Sequence, residues 1–267
     1  MFMKQRVITA VIAMLIFLPM VIVGGVPYLL LMYIMASIAL FELLRMRKIS
    51  LISLPGVFSL LLLWVILFPA EYIHNFSGLA GAGKIQLLIL GVLVFLSLTV
   101  ISKNQFTFDD IGFCFLAIIY IGIGFYFMMV IRHFGLLYFF FVLLLIWATD
   151  SGAYFCGSAF GKRKLMPAIS PNKTVEGAIG GILSAVIVAI LFYFFTELQN
   201  RFPLPVLLII SVILSIFGQV GDLVESALKR YYGVKDSGKL LPGHGGILDR
   251  VDSWLFVFPV LYFFLFF

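Results

Sequence analysis

Apolar runs of about 17–22 residues alternate along the chain with short segments that hold glycine, proline and charge. Nine runs can be marked: 7–23, 27–44, 51–69, 84–101, 109–130, 136–157, 175–196, 203–221 and 251–267. Each approaches the ~20 residues an α-helix needs to cross the hydrocarbon core of a bilayer. Periodicity adds little, because a helix facing lipid on one side and protein on the other is apolar all round. The pattern predicts an all-α, polytopic integral membrane protein with about nine transmembrane helices and a cytoplasmic N-terminus. Lys4 and Arg6 ahead of the first run resemble the start of a signal peptide. That run is long for one and a second follows almost at once, so a retained first helix is expected.

Composition points the same way: 63% of the 267 residues are hydrophobic, 11% are charged, and the mean hydropathy is +1.19. A water-soluble domain carries about 25% charged residues, so this chain has too little polar surface to coat a soluble globule. Cys114 and Cys156 sit in apolar sequence with no partner at metal-ligand spacing and read as small buried hydrophobes. The net charge of +6 reports membrane orientation and attraction to anionic headgroups, and no nucleic-acid partner is expected. With the N-terminus inside and nine crossings, fifteen of the 18 Lys and Arg fall on the cytoplasmic side, leaving Lys84, Arg132 and Arg201 outside.

Acidic residues do not govern topology, so their placement carries separate information. Asp150, Glu176, Asp222, Glu225, Asp236, Asp249 and Asp252 all follow residue 149, on or next to the cytoplasmic side, where the other acids are Glu42, Asp109 and Asp110. Residues 1–149 therefore read as scaffold. Residues 150–267 read as a catalytic region with cytoplasmic loops at 158–174 and 222–250.

If the eighth helix continues beyond its apolar run, Asp222, Glu225, Ser226 and Lys229 share one face at i, i+3, i+4 and i+7. The plain alternative is a solvated helix end whose Lys229 and Arg230 complement the helix dipole. Asp222 argues against it, since it directly follows apolar sequence, where an ionisable side chain is costly. Lys235-Asp236 comes next, then Pro242-Gly243-His244-Gly245-Gly246, a loop whose glycines allow close backbone approach and inward N–H groups. Asp249, Arg250 and Asp252 open the last helix. Two carboxylate pairs, Asp222 with Glu225 and Asp249 with Asp252, suit Mg2+, which takes one or two carboxylates plus phosphate oxygens and waters. Lys229, Arg230, Lys235, Lys239 and Arg250 offset their charge. Metal-binding acids interleaved with phosphate-binding bases suggest phosphoryl or nucleotidyl transfer.

A second constellation comes earlier. Asp150, followed by the small residues Ser151, Gly152 and Ala153, reads either as an interhelical hydrogen-bond anchor or as a member of the site. Further on, Ser170-Pro171-Asn172-Lys173-Thr174-Val175-Glu176-Gly177 leads into a helix. Thr174 and Gly177 are placed to frame its start, a good phosphate seat beside Lys173.

The stretch Ser226-Ala-Leu-Lys229-Arg230, Lys235-Asp236, Pro242-Gly-His244-Gly-Gly246 and Asp249-Arg250-Val-Asp252 resembles the signature of the phosphatidate cytidylyltransferases, or CDP-diacylglycerol synthases, with no departure across its 27 residues. Ala148-Thr-Asp150-Ser-Gly-Ala-Tyr154 and the 170–177 block resemble that family too. The resemblance implies that a phosphate oxygen of phosphatidate attacks the α-phosphorus of CTP, releasing pyrophosphate and leaving CDP-diacylglycerol. The choice of cytidine rests on the family alone.

The implied roles are Mg2+ on Asp222 and Asp249, with Glu225 and Asp252 close behind. Lys173, Lys229, Arg230, Lys235 and Arg250 are expected on the triphosphate or the lipid phosphate, with Ser170, Thr174, Asp236, Gly243, Gly245 and Gly246 shaping the substrate seat. His244 is expected to contact phosphate before acting as a base, and Asp150, Glu176 and Ser226 to support the site. The partners implied are CTP, phosphatidate in the inner leaflet, membrane lipids and a second copy of the chain, with the site on the cytoplasmic face of the cell membrane. Two alternatives stand beside this: a CTP-dependent polyprenol or phytol kinase, which would transfer the γ-phosphate and release CDP, and a cation- or proton-coupled transporter.

Overall fold

The computed structural model of the chain describes residues 2–68 and 83–266. Nine α-helices occur among the described residues: α1 (Phe2–Val23), α2 (Gly25–Met46), α3 (Leu54–Leu67), α4 (Lys84–Ile101), α5 (Phe108–Phe134), α6 (Leu136–Phe160), α7 (Val175–Phe195), α8 (Leu204–Tyr231) and α9 (Leu248–Phe266). They stand where the nine apolar runs predict them. The final residues of the third and ninth runs, 69 and 267, lie outside the described residues. Punctuation between helices follows the sequence. Gly24, at φ 70°, separates α1 from α2, a left-handed backbone that glycine adopts without penalty. Ser53 caps α3 by accepting the Gly56 N–H at 3.3 Å.

Seven of the described helices are long and apolar enough to cross a membrane: α1, α2, α4, α5, α6, α7 and α8. α3 has 14 residues, about 21 Å of rise against a hydrocarbon core of about 30 Å. α9 carries Asp249, Arg250 and Asp252 in its opening turns, which shortens its apolar length. α8 is extended instead: it runs 28 residues to Tyr231, so the first ten residues of the expected 222–250 loop are helical. The 158–174 loop folds into a two-stranded antiparallel hairpin, β1 (Lys164–Met166) and β2 (Ser170–Thr174), with Lys164 opposite Thr174 and Met166 opposite Ser170.

Packing divides the chain into two compact units. The first comprises Met1–Tyr126 and Asp236–Leu248, the second Phe127–Lys235 and Asp249–Phe267. In the first, Leu40 and Leu44 of α2, Leu63 and Leu67 of α3 and Phe95 of α4 are fully buried, and Phe95 meets Phe58 edge-on at 5.3 Å. In the second, Phe139 of α6, Ala185 of α7, Leu214 of α8 and Phe258 of α9 form the interior.

The tightest pairing is α6 with α7, and small residues permit it. A Cβ at Gly180 would strike the Cys156 side chain, and one at Gly152 would strike Ser184 and come within 2.7 Å of the Gly180 carbonyl. Elsewhere on its surface α7 exposes Ile179, Leu183, Ile187 and Phe194. Such an apolar stripe is tolerated in lipid and would be a liability in water.

Candidate active site

The second unit gathers most of the expected polar residues where α8, α9 and the hairpin approach one another. On α8, Asp222, Glu225, Ser226 and Lys229 share one face, as their spacing predicts. The Ser226 hydroxyl reaches Asp222 Oδ1 at 3.4 Å, and Lys229 pairs with Glu225 four residues before it. The Lys229 ammonium also donates to Asp249 Oδ1 on α9 at 2.7 Å. This triad is sequestered: the side chains of Glu225, Asp249 and Lys229 are 1%, 5% and 16% exposed. α9 comes this close because of Gly221, where a Cβ would meet the Asp252 carbonyl at 2.7 Å.

Asp222 pairs with Lys173 of β2 at 2.5 Å, and both side chains stay about a third exposed, within reach of a solute. Asp150 of α6 interacts electrostatically with Asp222, Lys173 and Arg250. Asp252 does so with Asp222, Asp150 and Lys229. Asp150 thus shares its surroundings with the charged residues of α8, α9 and the hairpin.

The hairpin is held by residues that the sequence placed at the substrate or in support of the site. Thr174 is buried, and its hydroxyl caps α7 by accepting the Gly177 N–H at 3.1 Å. Glu176 accepts the backbone N–H groups of Lys162 at 3.1 Å and Arg163 at 3.2 Å, closing the hairpin base. Arg230 donates from Nε to the Ile169 carbonyl at 3.2 Å, fastening the end of α8 to the hairpin turn. Ser170 begins β2 and is half-buried, whereas Lys235 is exposed beyond the end of α8.

Asp236, Gly243, His244, Gly245 and Gly246 fall in the first unit. Their loop makes a tight turn in which the His244 N–H donates to the Leu241 carbonyl at 2.8 Å and the Leu241 N–H to the Gly245 carbonyl at 2.9 Å. Gly243 and Gly245 sit at φ 78° and 83°, a left-handed backbone that a side chain would strain.

A sequence model of the cytidylyltransferase family matches residues 4–267, nearly the whole chain. The chain belongs to the cytidylyltransferase family. It is 55% identical over 268 residues to the phosphatidate cytidylyltransferase of Bacillus subtilis strain 168, covering 98% of this chain and 97% of that protein. It is 49% identical to the phosphatidate cytidylyltransferase of Staphylococcus haemolyticus, covering 97% of each.

In this cytidylyltransferase three of the four carboxylates expected around one cation already hold a lysine. Asp249 and Glu225 share Lys229, while Asp222 takes Lys173. Among the described residues no three His, Cys, Asp or Glu side chains stand together as a ready-made metal cage. Mg2+ does not require one, since it binds through one or two carboxylates and completes its octahedron with phosphate oxygens and water. The donor set fits. Asp150, Asp222, Glu225, Asp249 and Asp252 interact with Lys173, Lys229 and Arg250.

Sequence reasoning passed over Glu42, a carboxylate in the apolar run of α2 that is 2% exposed. The available signal was the one applied to Asp222: an ionisable side chain inside apolar sequence needs a partner. Gln219, one turn before Asp222, was passed over as well. Its amide donates to the Ala178 carbonyl at 3.3 Å and ties α8 to α7.

Proposed function

We propose that this cytidylyltransferase transfers the cytidylyl group of CTP to phosphatidate, giving CDP-diacylglycerol and pyrophosphate. The observation that carries the reading is the lysine-bridged carboxylate cluster of α8, α9 and β2 in a chain 55% identical to a phosphatidate cytidylyltransferase. A phosphate oxygen of phosphatidate attacks the α-phosphorus of CTP. The bond from that phosphorus to the β-phosphate oxygen breaks, and pyrophosphate leaves with the electron pair. A phosphate monoester is largely ionised near neutral pH, so the attack needs no strong base.

Lys173 and Arg250, the accessible cations of the cluster, hold and neutralise the phosphates. Lys229, enclosed between Glu225 and Asp249, keeps those two carboxylates apart and aimed. Mg2+ on Asp222 and Asp249, with Glu225 and Asp252 behind, would supply charge neutralisation at the triphosphate. CTP arrives from the cytoplasm, and phosphatidate keeps its acyl chains in the inner leaflet of the cell membrane, an orientation supported by the fifteen-to-three division of basic residues. A homodimer rests on the family resemblance alone.

Purified protein given phosphatidate, CTP and Mg2+ is expected to release one pyrophosphate per CTP consumed, to fall silent on chelation and to recover when Mg2+ is restored. Release of CDP instead would support the lipid-kinase alternative, and undiminished turnover in metal-free buffer would remove the metal from the account. The family match gives neither the kinase nor the transporter alternative any support.

A further inference from the structure

Glu42 projects from the second membrane helix into the loop 236–248. Its Oε1 accepts the Ile247 N–H at 3.0 Å, and its Oε2 accepts the Leu248 N–H at 2.9 Å and the Ser237 hydroxyl at 2.9 Å. Ile247 and Leu248 lead directly into Asp249. Their N–H groups lie at the start of α9, where unpaired donors and the helix dipole favour an anion. A glycine-rich turn before a helix start suggests a seat for substrate phosphate, yet here the protein's own carboxylate fills it.

The wrapping is close. A Cβ added to Gly238 would land on Glu42 Oε1, and one added to Gly246 would land on Oε1 and on the Ser237 hydroxyl. The first helix braces the same loop, with the Thr9 hydroxyl donating to the Pro242 carbonyl at 3.2 Å and the Arg6 side chain packed on Gly243.

We propose that Glu42 is a positioning residue for the transfer reaction: it occupies the anion-binding start of α9 in place of a substrate phosphate and fixes the course of the loop into Asp249. The proposal rests on the reading of Asp249 as part of the reacting set. A carboxylate that accepts from three donors while cut off from water is held by charge-assisted bonds that a neutral side chain does not replace. The buried seat leaves substrate phosphates to the accessible side-chain cations, Lys173 and Arg250.

Glu42→Gln keeps the shape and turns one acceptor oxygen into an NH2 group facing an N–H. Turnover is expected to fall about tenfold or more, the weight of one charge-assisted hydrogen bond, with KM for CTP within about threefold of wild type. Hydrogen exchange in the peptide spanning 236–248 should rise about tenfold, while the hairpin at 164–174 keeps its wild-type rate. Ser237→Ala, which removes one donor, should shift loop exchange and turnover in the same direction by less, and it carries the test if Glu42→Gln fails to fold.

Wild-type exchange and turnover in both variants would overturn the proposal. So would a Glu42→Gln enzyme that binds CTP and inorganic pyrophosphate more tightly, because Glu42 would then be a stand-in that phosphate displaces. A wild-type protein that makes no CDP-diacylglycerol would sink the functional reading. In that case the exchange comparison still decides whether Glu42 holds the loop.

Discussion

Asp249→Asn is expected to abolish turnover, lowering kcat by about 10³ or more, the scale seen when a preorganised electrostatic partner of the transition state is removed. The protein should still insert and keep its helical content. Asparagine has almost the same volume as aspartate and can still accept from Lys229, whose ammonium donates to Asp249 Oδ1 at 2.7 Å. What changes is charge: the cluster loses one negative unit, and Lys229 keeps its ion pair with Glu225. Measuring cytidylyl transfer beside monodispersity and circular dichroism in detergent separates chemistry from folding. A folded Asp249→Asn protein with near-normal activity would take Asp249 out of the reacting set.

Lys229→Met should cost both stability and activity. It removes the cation between Glu225 and Asp249, whose side chains are 1% and 5% exposed, and leaves two carboxylates facing each other out of reach of water. Breaking one side of a buried pair in this way costs about 3–5 kcal/mol, a fall in melting temperature on the order of 10 °C for a domain of this size. Adding Glu225→Gln should return part of the melting temperature without returning activity, since it relieves the repulsion but does not restore the cation. A Lys229→Met protein that melts like wild type would show that the triad is not an enclosed ion cluster.

Much of this could be read from the chain because lipid imposes a simple rule: a crossing helix must satisfy its own backbone and be apolar for about 20 residues. All nine helices were visible on that ground. The same rule hid the exceptions. Apolar sequence opens at residue 51, whereas α3 begins at Leu54 and has 14 residues. In α8 the apolar run stops at 221, which left open whether the helix or a loop follows; the helix continues about three more turns, to Tyr231, with its charges paired along and across it.

Within the site, i, i+3, i+4 spacing was enough to put Asp222, Glu225, Ser226 and Lys229 on one face, but no spacing rule says which acid takes which lysine. That depends on how closely α9 and β2 approach α8. Thr174 was placed both at the helix start and in the substrate seat, and Glu176 was expected to support the site; local geometry gives Thr174 the helix cap and Glu176 the hairpin base. Glu42 stayed hidden because its partners lie about 200 residues away in sequence, where no periodicity can connect them.

The central claim is that the group transferred is cytidylyl, and the most direct test follows one atom. Purified protein is given phosphatidate, Mg2+ and CTP labelled at the α-phosphorus, and the lipid is extracted and separated from nucleotide. The label should appear in the lipid fraction as CDP-diacylglycerol, in step with pyrophosphate release. Unlabelled lipid, with the α-phosphorus left in CDP, would contradict the account.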